Sequence, residues 1–89
     1  MIIVDTGVLV AAVNRRDSFH ASCAAFLDQV REPLIVPAMV VTEVCYMLAR
    51  PRHGHPKLAA TFLDALATES LDVEAPTTAD FARIAELVR

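Results

Sequence analysis

An α/β fold built on a short parallel sheet is what these 89 residues predict, and three observations carry the prediction. The apolar runs Ile2-Ile3-Val4 and Leu34-Ile35-Val36 show none of the alternation of a half-solvated strand, which suits strands buried on both faces. Stretches with helical apolar spacing stand between and after them. No repeat or low-complexity linker interrupts the series, so parallel strands joined by right-handed crossovers are expected.

The elements follow in order. The first strand ends at Asp5, and after Thr6-Gly7 the positions Val8, Leu9, Ala12 and Val13 form a helical stripe that stops at Asn14-Arg15-Arg16. Asp17 or Ser18 can cap a second helix with Phe19, Cys23, Phe26, Leu27 and Val30 on its inner face, and Pro33 prevents its continuation. Pro37 closes the second strand, and Val40, Val44, Met47 and Leu48 mark a third helix that ends at Arg50-Pro51. Gly54-His55-Pro56 opens a fourth, with Leu58, Phe62, Ala65 and Leu66 inward. Leu71-Asp72-Val73-Glu74 is a weaker third strand. Thr77-Thr78-Ala79-Asp80 has the pattern of a capping box, before Phe81, Ile84, Ala85 and Val88 on one side of a fifth helix.

Composition narrows the function. A domain of this size buries only about 60 to 65% of its unfolded surface, yet 55% of the residues are apolar, so some apolar surface is expected to meet a partner. No apolar run reaches the roughly 18 residues of a membrane span, and the N-terminus lacks the basic start and cleavage site of a signal peptide. The cytoplasm is the expected location, with no membrane partner. Cys23 and Cys45 lie in helical apolar patterns without a second ligand at metal spacing, so they are expected to be buried thiols. The net charge of −3 gives no general attraction for nucleic acid, and the one basic stretch is Arg50, Arg52, His53, His55 and Lys57.

The chemistry centres on Asp5 and Glu43. Ligands of open parallel sheets bind beyond the carboxyl ends of the strands, where Asp5 stands, and Glu43 follows the second strand by one and a half to two helical turns. Val40, Val44 and Met47 place Glu43 near a buried stripe, where a carboxylate needs a partner. Two carboxylates on adjacent strand–helix junctions can converge on one hard cation, Mg²⁺ or Mn²⁺. Taken singly, Asp5 could instead cap the helix that follows and Glu43 could be a partly exposed helix residue. Asp80 is explained by its place in the cap. The Thr6 hydroxyl, beside Asp5, could hold a metal-bound water or a phosphate oxygen.

The series Ile3-Val4-Asp5-Thr6-Gly7-Val8-Leu9, His20 with Cys23, Val36-Pro37-Ala38 and Thr42-Glu43-Val44 resembles a PIN domain, and within that family the bacterial VapC-type toxins. The resemblance runs from Met1 to about Arg89, and its specificity lies in the combination of short motifs. It implies a PIN-like three-layer α/β/α fold and an endoribonuclease that hydrolyses RNA with Mg²⁺ or Mn²⁺ held by an acidic cluster. Asp5 and Glu43 match the first two acids of that cluster. It also implies inhibition by a cognate VapB-like antitoxin. Family members usually continue into a further strand, a helix and the remaining acids, so residues 1–89 resemble the N-terminal two-thirds of a domain that lacks its C-terminal strand and helix. The expectation is half a metal site, weak metal binding, little activity of these residues alone, and homodimerisation through uncovered apolar surface.

Other readings differ in testable ways. Asp5-Thr6-Gly7 is also the triplet of retroviral-type aspartic proteases, but those are strand-rich, whereas helical stripes dominate here. A haloacid-dehalogenase-type phosphatase would need a second Asp where Gly7 stands. A non-catalytic module that binds an antitoxin or a second copy of itself is the rival from another class.

Overall fold

The computed structural model describes residues 1–50, 54–68 and 71–89. Along the chain come β1 (Ile2–Ile3), α1 (Thr6–Val13), α2 (His20–Gln29), β2 (Leu34–Pro37), α3 (Ala38–Ala49), α4 (Pro56–Thr68), β3 (Leu71–Glu74) and α5 (Thr78–Val88). The strands form one parallel sheet in the order β1-β2-β3, with Ile2 and Leu71 flanking Leu34. The α/β class and parallel sheet are thus those the sequence predicts. Pro51, Arg52 and His53, which belong to the expected helix stop and basic stretch, lie outside the described residues.

The core lies on one face of the sheet. Leu34 and Val36 of β2 meet Leu9 and Val10 of α1, Val44 and Leu48 of α3, and Phe62 of α4, with Val4 closing the cluster at the end of β1. Alternation explains the other face: Ile3 is 66% exposed and Ile35 only half-buried. The expectation of strands buried on both faces therefore fails at β1, which is a short edge strand with the core helices on its opposite side. Among the described residues no helix is long and apolar enough to cross a membrane.

Local chemistry sets the helix ends. α2 begins later than its apolar pattern suggests, because Asp17 Oδ1 accepts from the Phe19 amide at 2.8 Å and forms a turn ahead of the helix. Phe19 and Phe26 are exposed rather than inward, since α2 packs chiefly on α1. α4 starts at Pro56, where the missing amide costs no helical hydrogen bond. The capping box of α5 is formed in full: Thr77 Oγ1 accepts from the Asp80 amide at 3.1 Å, and Asp80 Oδ2 accepts from the Thr77 amide at 2.8 Å. Asp80 thus has the structural role its spacing indicates. Beyond that cap α5 makes no extensive contact with another element, and it leaves Phe81, Ile84, Leu87 and Val88 exposed.

Gly54 joins α3 to α4. A Cβ there would sit 2.6 Å from the Leu48 carbonyl oxygen and 2.8 Å from Leu58 Cδ1, so the last turn of α3 and first turn of α4 approach closely only because the side chain is absent. Gly54→Ala should destabilise the domain by about 1–3 kcal/mol in chemical denaturation. An unchanged midpoint would refute this packing.

Candidate active site

Asp5 and Glu43 are placed by the ends of two adjacent strands. The Val4 amide donates to the Ile35 carbonyl at 2.9 Å, and the buried Val4 side chain anchors the chain just before Asp5. Asp5 then adopts extended backbone as the N-cap of α1, and its Oδ1 accepts from the Thr6 amide at 2.7 Å. The capping role open to Asp5 is therefore real. It engages one carboxylate oxygen, while the residue as a whole stays exposed.

Glu43 reaches the same place from α3. Its neighbour Val44 is fully buried, which fixes the rotation of the helix and turns Glu43 toward α1. Glu43 itself is exposed, so the expected position near a buried stripe is not what holds it. The side chain is held by Thr6, whose Oγ1 donates to Glu43 Oε2 at 2.7 Å. Thr6 is 8% exposed, so its hydroxyl proton is committed to this bond instead of facing incoming water or phosphate.

One residue thus touches both acids, through its amide for Asp5 and its hydroxyl for Glu43. This leaves Asp5 Oδ2 and Glu43 Oε1 without a partner among the described residues. Two neighbouring carboxylates repel each other, and their two hard oxygens suit Mg²⁺ or Mn²⁺, with water completing the coordination shell. The donor set fits such an ion but is sparse: no group of three or more His, Cys, Asp or Glu side chains able to hold a metal occurs among the described residues.

The remaining candidates lie elsewhere. His20 Nδ1 donates to the Ala11 carbonyl at 2.8 Å and so satisfies one of the orphan acceptors at the end of α1, a structural role. Cys23 and Cys45 are free and half-buried, and burial pushes the Cys45 thiol up from its ordinary value. Gly7 lies in the first turn of α1 beside the acids, and a Cβ there would meet nothing within 4 Å. Its small size is therefore not required by the packing of this chain.

Residues 2–89 match the family described as PIN domain. The chain belongs to the PIN domain family. No curated protein sequence matches this PIN domain. Among solved structures, it resembles the Mycobacterium tuberculosis toxin VapC20, described as cleaving the sarcin–ricin loop, with a TM-score of 0.81 and 20% identity over 100% of this chain and 68% of that one. At that identity the likeness speaks for the fold. The strand–acid–helix order that carries the resemblance in sequence is the order that brings Asp5 and Glu43 to one edge of this PIN domain.

Sequence reasoning missed Thr6 as the link between the acids. A hydroxyl residue flanking an N-cap is common, and only the three-dimensional approach of α3 reveals its second partner. Thr6→Val keeps the shape and removes the hydroxyl, so it should cost about 1–2 kcal/mol of stability, and Thr6→Ser should restore most of the loss. Equal stability of the two variants in urea would refute the bond. Gly7→Ala should be neutral or stabilise by up to about 1 kcal/mol, and a drop in melting temperature would show that the open space beside it is misplaced.

Proposed function

We propose that this PIN domain is the metal-binding part of a VapC-like endoribonuclease toxin, with RNA as substrate and Mg²⁺ or Mn²⁺ as cofactor. The observation that carries this reading is the convergence of Asp5 and Glu43 on Thr6 at the carboxyl edge of the parallel sheet. The structural likeness to a toxin that cleaves RNA supports the substrate class. Asp5 and Glu43 are the residues that would hold the ion, which when bound supplies Lewis acidity toward a phosphodiester and lowers the pKa of water.

The rest is work for the chain itself. Thr6 fixes the direction of both carboxylates before any ligand arrives, so the site loses less freedom on binding than two independent exposed side chains would. Their exposure leaves them accessible to a polymer too large to enter a closed pocket. Their negative charge opposes RNA, on a chain of net charge −3, and this makes association dependent on divalent cation. The 68% coverage of VapC20 supports reading residues 1–89 as the N-terminal two-thirds of a domain whose further acids complete the site. A VapB-like antitoxin as partner, self-association as a homodimer and a cytoplasmic location belong to the same reading.

A second reading, a non-catalytic module bound by an antitoxin or by another copy, is favoured by one observation. The α5 face of Phe81, Ile84, Leu87 and Val88 is uncovered, and such a face is suited to a protein partner. Cleavage of a defined RNA pool in Mn²⁺ by the domain together with the further acids that complete its site separates the two. The nuclease reading expects cleavage that EDTA abolishes and that Asp5→Asn and Glu43→Gln each reduce by about 100-fold. Cleavage indifferent to both variants would overturn the site. No cleavage by the folded, completed domain, together with stable capture of an antitoxin, would favour the second reading.

A further inference from the structure

An open cavity of about 720 Å³ lies at the far end of α1 from the acidic pair, one helix of eight residues or roughly 12 Å away. We propose that it is a binding site for a nucleotide phosphate. Its size falls within the range of small-molecule pockets. Two guanidinium side chains, Arg15 and Arg16, and two imidazoles, His20 and His55, line it, and among the described residues no Asp or Glu does, on a chain that is acidic overall.

The lining is ordered without using up its charge. Asn14 holds the turn that carries both arginines: its carbonyl accepts from the Asp17 amide at 3.0 Å, and its Oδ1 accepts from the Arg16 amide at 3.1 Å. The nearest carboxylate in sequence, Asp17, is turned to the Phe19 amide. Among the described residues the side-chain ion pair is Arg83 with Glu86, and neither Arg15 nor Arg16 takes part in one. Two guanidinium groups on one cavity without a paired carboxylate are free to give a phosphate charge-assisted hydrogen bonds.

The histidines complete the recognition. His55 Nδ1 accepts from the Lys57 amide at 3.1 Å, which places the ring proton on Nε2 as a donor. His20 Nδ1 donates to the Ala11 carbonyl, which covers an acceptor at the negative end of α1 and leaves Nε2 as an acceptor suited to a ribose hydroxyl beside the phosphate. α2 starts at His20 and α4 starts at Pro56, so the positive ends of two helices border the same space. Val13 and Leu58 supply apolar wall against which a base or ribose can lie. The site is independent of the nuclease reading, since it shares no residue with Asp5, Thr6 or Glu43.

The phosphate could belong to a free mononucleotide or to the end of an RNA strand, and titration followed by NMR in EDTA distinguishes these. The probes are adenosine monophosphate, inorganic phosphate, and a short oligoribonucleotide with and without a 5′-phosphate. Saturable shifts at Arg15, Arg16, His20 and His55 are expected, weakening with salt. Both arginines are exposed, so Arg15→Ala with Arg16→Ala should keep the fold and weaken binding by roughly tenfold or more. Asp5→Asn should leave it unchanged. Preference for the phosphorylated oligoribonucleotide over its hydroxyl counterpart identifies a strand end, and binding of the monophosphate without that preference identifies a free nucleotide. Undiminished affinity in the double arginine variant, shifts centred elsewhere, or no response to any probe at millimolar concentration would overturn the proposal.

Discussion

The bond from the Thr6 hydroxyl to the Glu43 carboxylate is the interaction on which the site depends. It ties the junction after β1 to the helix that follows β2, two points 37 residues apart in the chain. Both ends of the bond are over-determined by packing. Thr6 is fixed by the buried Val4 before it and the buried Leu9 and Val10 after it, and Glu43 is fixed by the fully buried Val44. Exposed carboxylates on separate elements would ordinarily sample many rotamers, and here one shared residue removes much of that freedom.

The core that supports this arrangement is narrow. It consists of one sheet face and three helices, and its two ends serve different purposes. At the carboxyl edge of the strands negative charge gathers at Asp5 and Glu43. At the far end of α1, Arg15 and Arg16 bring positive charge beside the imidazoles of His20 and His55. α1, eight residues long, separates the two. The exposed apolar residues of α5 and the uncovered Ile3 account for the high apolar content of so small a chain: much of that content does not lie in the core.

Much of the fold was legible because local rules and global packing agree. The unbroken run Leu34-Ile35-Val36 forms the central strand, Pro37 and Pro56 mark helix starts, and Thr77 with Asp80 forms the cap its spacing foretells. The reading failed where burial was inferred from one element alone. Ile3 has strand character but no helix above it, and Phe26 has helical spacing but little to pack against. In the site, the two acids were legible as strand–helix junction residues, whereas the role of Thr6 required the angle at which α3 crosses α1. The basic cavity was hidden for the same reason: Arg15, Arg16 and His20 precede α3 in the chain and His55 follows it, and only the packing of α4 against α1 joins them.

The central claim is that Asp5 and Glu43 act as one cation site organised by Thr6. Paramagnetic broadening by substoichiometric Mn²⁺ in an amide-resolved NMR spectrum tests it most directly. The account predicts selective loss of the signals of residues 5–7 and 42–44, abolished together by Asp5→Asn. Broadening spread evenly over exposed acids such as Glu32, Asp72 and Glu74, or confined to only one of the two junctions, would contradict it.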